Sequence, residues 1–277
     1  MRRQPAPEYD GPTVPGIDVS RWQGEIDWPR VAASDVRWVA VRTGDGMDTD
    51  SLAVRHITGA HAAGLLVAAY HYLRARHGAE VNLGVIHEVL RVAGVPIGFV
   101  AIDVEGGPPA GGAWLGDVPT ERVLEVLDVL GTALEADGHR VLIYSGQSWH
   151  WHVAAHGLGA EIAARWPLWA PWYSEHDRPS VPVYADGTPV WPEWRIWQWS
   201  GSGSVPGIDS HAVDLDRWRG SEGELAVWWD PATRSTAPPR PFDRAEVLAL
   251  AERAKAAGDL ATAERLLAAA EGLAAKT

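Results

Sequence analysis

TERVLEVLDVLGTALEADGHRVLIY, residues 120–144, is the stretch from which the fold is read. Val123, Leu127, Leu130 and Leu134 recur at helical spacing, so they line one stripe of a helix over Thr120–Asp137, with Thr120 placed to cap it. Arg140–Tyr144 follows as a short apolar run of strand character. Phe99–Glu105, upstream, is a run of the same kind, so this part of the chain alternates strand, helix, strand.

The alternation extends outward in both directions. Further strand-like runs are Val14–Asp18, Trp38–Arg42, Leu66–Tyr72, Leu168–Trp172, Arg195–Trp199 and Ala212–Leu215. Helices are expected after Asp27, which caps a short one with Pro29 in its first turn, and over Ser51–Ala63, Glu80–Ala93 and Ala160–Arg165. The pattern is five βα units and then three strands joined by Pro/Gly/Ser-rich loops. Such a chain predicts an α/β fold with a mostly parallel sheet, and eight strands are enough to close a barrel of (β/α)5β3 type. A doubly wound open sheet is the alternative, but the first strand lacks the glycine turn that cradles phosphates.

Residues 1–12 read as a flexible leader, 13–229 as the barrel domain and 230–241 as a Pro-rich linker. Residues 242–277 read as an αα-hairpin with Leu260, Ala263, Leu267, Ala270 and Ala274 on one face, either a packing appendage or a surface for self-association. No apolar run follows the basic N-terminus and none approaches a membrane span, so neither a secretory signal nor membrane insertion is expected. The 277 residues carry a net charge of −12, which argues against nucleic acid as a partner. With no cysteine, disulfides and thiolate chemistry are excluded. The 16 tryptophans, twelve of them between Trp149 and Trp229, suit sugar rings as well as they suit a core.

Acids sit where the predicted strands end: Asp18, Asp103 with Glu105, and Asp214. In a parallel barrel that end is the functional face. Strand alternation puts Asp103 and Glu105 on one side, about 6–7 Å apart at Cα. Two carboxylates that close cannot both ionise freely, and a carboxyl kept protonated is what a general acid requires. An exposed pair that only solvates a strand end, or an acidic site for Ca²⁺ or Mg²⁺, are the competing readings. His150-Trp151-His152 has the spacing of metal ligands on a strand, but no third ligand is evident nearby. No metal or cofactor is expected.

These residues carry a resemblance. Gly16-Ile17-Asp18-Val19-Ser20-Arg21-Trp22-Gln23-Gly24 through Trp28 resembles the opening motif of the glycoside hydrolase family 25 lysozymes, the Chalaropsis-type muramidases. Tyr70-His71-Tyr72, Asp103-Val104-Glu105, Trp197-Gln198-Trp199-Ser200 and Val213-Asp214-Leu215-Asp216 match further motifs in the same order, over roughly residues 14–220. The resemblance implies a flattened eight-stranded barrel. It also implies hydrolysis of the β-1,4 bond between N-acetylmuramic acid and N-acetylglucosamine in bacterial peptidoglycan. By motif, Glu105 is the general acid, Asp103 steadies the reacting sugar, and Asp18 and Asp214 complete the catalytic floor. Tyr70, Tyr72, Tyr144, Trp172 and Gln198 become candidate substrate-binding residues, each of the aromatics being equally readable as barrel packing.

Two positions depart from the pattern: Arg21, and Asp216 where the family commonly has Asn, which adds negative charge beside Asp214. The implied setting is a phage endolysin held in the host cytoplasm until release, or a virion-borne lysin. A non-catalytic glycan-binding or assembly module on the same barrel is the alternative.

Overall fold

The computed structural model describes residues 9–106, 118–173 and 179–230. Of the linker and hairpin expected over 230–277, all but Asp230 lie outside the described residues. Of the expected leader, Tyr9 to Pro12 are described: the Tyr9 hydroxyl donates to Pro12 O at 2.8 Å, and its ring packs edge-on against Trp194.

The elements alternate as expected. β1 (Thr13–Val19), α1 (Trp28–Ala32), β2 (Trp38–Asp45), a two-residue flap β3 (Asp48–Thr49), α2 (Ala53–Ala62), β4 (Leu66–Tyr72) and α3 (Gly78–Ala93) form the first half. β5 (Val100–Asp103), α4 (Thr120–Ala136), β6 (Val141–Tyr144), α5 (Gln147–His152), α6 (Ala160–Arg165), β7 (Leu168–Pro171), β8 (Trp194–Gly203), β9 (Val213–Arg219) and α7 (Glu222–Trp229) complete it. Apart from the flap, eight strands close a barrel in the order β1-β2-β4-β5-β6-β7-β8-β9, with β9 returning to β1. Every neighbouring pair is parallel except β8–β9 and β9–β1, because β9 alone runs backwards.

Two layers of core follow from strand periodicity. Side chains pointing outward, such as Ile17, Val39, Val67, Ile102 and Ile143, pack under α2, α3 and α4. Those pointing inward, among them Val14, Trp38, Ala40, Ala68, Phe99, Ala101, Leu142, Trp169, Ile196 and Trp218, fill the barrel. Gly16 makes room for this filling, since a Cβ there would stand 2.0 Å from the Trp38 ring. Helix α7, capped by a Ser221/Glu224 box, places Trp229 beneath the barrel. The Trp229 ring meets Phe99 at 5.3 Å and Trp38 at 5.9 Å, and its Nε1 donates to Val67 O.

Several expectations need correcting. Thr120 does not cap α4: Pro119 holds that position, and the Thr120 hydroxyl donates instead to His152 O at 3.0 Å. His150 and His152 lie on α5, not on a strand, so they do not share the alternate-residue geometry expected of ligands. His150 Nδ1 bonds Val183 O at 2.8 Å, anchoring the loop before β8. The last two strands are longer than their apolar runs: β8 continues through register shifts to Gly203, and β9 continues to Arg219. Among the described residues no helix is long and apolar enough to cross a membrane. Of the tryptophans, ten are buried in these layers, so most serve packing.

Candidate active site

The inward positions become polar at the C-terminal mouth of the barrel. β1 supplies Asp18, β4 Tyr70, β5 Asp103, β6 Tyr144 and β8 Gln198. Because β9 is reversed, its beginning arrives at this mouth and delivers Asp214, directly opposite Asp18 in the register. Asp103 likewise aligns with Tyr72 on one side and Tyr144 on the other. Glu105 lies two residues past Asp103, where β5 has already ended, so a loop and not strand alternation positions it.

Gln198 is the hub. Its Nε2 donates to Asp18 Oδ2 at 2.6 Å, while its Oε1 accepts from the hydroxyls of Tyr144 at 2.9 Å and Tyr173 at 2.5 Å. The Tyr70 hydroxyl also bonds Asp18. The Tyr72 hydroxyl donates to the backbone oxygen of Glu105 at 3.4 Å, beneath the Arg74 guanidinium. Below them, the Trp169 ring meets Tyr70 and Tyr144 edge-on at 6.2 and 5.4 Å. Trp172 sits beside β7 with its ring half-buried against the outer core; its backbone N–H donates to Gln198 O at 2.9 Å.

The electrostatics follow from burial of like charges. Burial, then Glu105 and Asp18, pushes the Asp103 carboxyl well above the usual range; among the described residues the buried Asp103 Oδ1 has no hydrogen-bond partner. Burial and Asp214 raise Asp18. Burial raises Asp214 to about 6. Glu105 is raised by burial and by Asp214, with Arg74 pulling the other way.

Sequence reasoning missed the cations that temper these acids. Arg42 shares the inward face of Trp38 and Ala40, a signal strand alternation already carried, and it lowers Asp103. Its guanidinium is clamped by Asp50, 2.8 Å away, whose side chain also accepts the backbone N–H groups of Arg21 and Leu52. Arg74 is held by Asp45 at 2.5 Å. Tyr173 was missed too, since it follows the end of β7. Trp22, on the turn after β1, is 69% exposed at this same end of the barrel. Its neighbour Arg21 lies 4.8 Å over the ring.

Residues 17–208 match the glycosyl hydrolases family 25. The chain belongs to that family. It is a glycoside hydrolase of lysozyme type, and the acids at the barrel mouth fall inside the matched span or just beyond it. It is 29% identical over 223 residues to Lysozyme M1 of Streptomyces globisporus, spanning 76% of this chain and 70% of that protein. An autolytic lysozyme of Clostridium acetobutylicum is 29% identical over 212 residues, covering 76% of this chain and 56% of that protein. Among solved structures, the bacterial lysozyme from Streptomyces coelicolor superposes with a TM-score of 0.66 at 23% identity, covering 82% of this chain and all (100%) of that one. A family 25 glycosyl hydrolase from Bacillus anthracis gives 0.64 at 19% identity, covering 83% and 100%. The family 25 fold thus accounts for the barrel and for the placing of its polar mouth.

Proposed function

We propose that this chain cleaves peptidoglycan at the β-1,4 bond between N-acetylmuramic acid and N-acetylglucosamine, with Glu105 as the general acid. The observation that carries this reading is the Glu105 carboxyl itself. Burial and the charge of Asp214 hold its proton toward neutral pH, beside a second buried acid, Asp103. Glu105 transfers that proton to the glycosidic oxygen as the sugar–oxygen bond breaks. Asp103 steadies the positive charge developing on the sugar through its N-acetyl group. Water then adds to the anomeric carbon and returns a proton to Glu105. Asp18, kept in place by Gln198 and Tyr70, contributes fixed negative charge to the floor. Tyr72, Tyr144, Tyr173 and the exposed Trp22 supply ring faces and hydroxyls for successive sugars.

The likeness to lysozymes supports the substrate class, and one related structure, an autolysin from Streptococcus pneumoniae, is described in complex with a synthetic peptidoglycan ligand. Incubation with purified peptidoglycan should release reducing ends, and mass analysis should show N-acetylmuramic acid at each new reducing end. N-acetylglucosamine there, or release of peptide without sugar cleavage, would overturn the bond assignment.

A further inference from the structure

Asp216 follows Asp214 by two on β9 and so faces into the barrel, where only 1% of it is exposed. Its Oδ1 accepts the Trp169 Nε1–H at 2.9 Å. Its Oδ2 is buried with no hydrogen-bond donor in reach among the described residues. Its register partner across the strand pair, Gln198, turns its amide elsewhere: the nitrogen donates to Asp18, the oxygen accepts from the two tyrosines, and neither bonds Oδ2. What Oδ2 can meet is Asp18, diagonally across β1–β9, and the two carboxyls are within hydrogen-bonding contact. Two carboxylates cannot bond to each other, but an acid and a carboxylate can.

The donors decide which of the two carries the proton. Asp18 accepts from Gln198 and from Tyr70, whereas among the described residues Asp216 accepts from Trp169 alone. We propose that Asp216 is a neutral carboxylic acid whose Oδ2–H donates to Asp18, a positioning residue that keeps Asp18 as the ionised member of the pair. The groups beside Asp216 agree with this assignment: Asp214 on its own strand and Asp18 on β1 are acidic, while Trp169, Gln198 and the Tyr70 hydroxyl, which burial keeps protonated, are neutral. Burial and the negative charges of Asp18 and Asp214 all act to retain the Asp216 proton, and the Trp169 bond opposes them. Asp216 therefore adds a hydrogen-bond donor to the floor and no charge, contrary to the expectation drawn from its residue type.

An asparagine is the neutral isostere of this acid: its oxygen accepts from Trp169 and its amide donates to Asp18. The test compares Asp216→Asn with Asp216→Ala. Infrared difference spectra at neutral pH should show one protonated-carboxyl C=O band in the wild type that Asp216→Asn lacks. Absence of that difference overturns the proposal, and the measurement needs no turnover.

The kinetic arm rests on the muramidase reading above. Asp216→Ala removes a donor to a charged group, so kcat/KM should fall about ten- to a hundredfold and its acid limb should move to higher pH. Asp216→Asn should rescue both effects, leaving the limbs within a few tenths of a unit. If Asp216 were ionised, Asp216→Asn would instead remove a neighbouring charge and drag the whole profile to lower pH by about one unit or more, overturning the proposal. Should the Ala variant fail to fold, the Asn profile and the infrared band still decide. Loss of the Glu105 assignment would leave the infrared result standing, so the two ideas fail separately.

Discussion

Asp18 on β1 and Asp214 on β9 are register partners across the seam that closes the barrel, an antiparallel pair in which two acids face each other. The arrangement costs stability at neutral pH. Asp214 has a folded value of about 6 against an ordinary 3.8, so the folded state binds its proton more tightly than the unfolded chain does. A raised carboxyl contributes most below the ordinary value, and that contribution is lost as pH climbs through the folded value. Asp214→Asn should therefore melt higher than wild type at neutral pH, with the gain shrinking between pH 6 and 3.8 and absent below. The same change removes a charge that raises Glu105, so the alkaline limb of activity should move to lower pH. Equal melting temperatures at neutral pH would contradict this.

Glu105→Gln is nearly isosteric but has no proton to transfer. General acid catalysis contributes about 10²–10⁴-fold, so turnover should drop by at least the smaller factor without a fall in melting temperature. Retention of half the wild-type rate by a well-folded variant would remove Glu105 from the role.

Gln198→Leu keeps the volume but deletes both ends of the hub. Two tyrosine hydroxyls lose an acceptor and Asp18 loses a donor. Each group left unsatisfied at a buried site costs about 1–3 kcal/mol, so the denaturant midpoint should fall clearly. The acid limb of the rate profile should also rise, because Asp18 is then harder to ionise. A variant with unchanged midpoint and profile would show the hub to be incidental.

Exhaustive EDTA treatment should leave wall cleavage intact, since a divalent cation would hold the acids ionised and prevent the sharing of protons. A loss of activity that Ca²⁺ or Mg²⁺ alone restored would favour a metal-dependent floor.

Truncation after Arg240 should leave turnover on short soluble glycan chains unchanged, because every residue assigned to the site precedes Arg217. Binding to intact walls, or sedimentation mass, is where the expected hairpin should register. A folded but inactive truncation would refute the domain division.

How far the sequence could be read depended on whether contacts are local. Alternation puts Phe99, Ala101 and Asp103 on one side of their strand, because a strand's period is a backbone property, and the structure turns that side into the barrel. It stopped being informative at Glu105, where the strand has ended. The reversal of β9 left no local trace: Val213–Leu215 looks the same in either direction, so Asp214 was expected beside Asp18 but at a strand's end, whereas it lies at the start of a reversed strand. The bonds among Gln198, Asp18 and Tyr144 span long stretches of chain and have no sequence signature. Arg42 was accessible in principle, by extending the inward pattern two residues beyond Ala40.

Trp38, Phe99 and Trp229 stopper the end of the barrel away from the acids. Among the described residues, this makes the acidic end a blind well, in which Asp18 and Asp103 touch solvent only slightly and Asp216 hardly at all. A glycan lying across that mouth becomes the lid of the well. With the mouth so covered, the carboxyls would exchange protons with one another more readily than with the solvent. Bulk pH would thus govern which fraction of encounters begins correctly loaded, while the bond-breaking step itself runs isolated from the surrounding buffer.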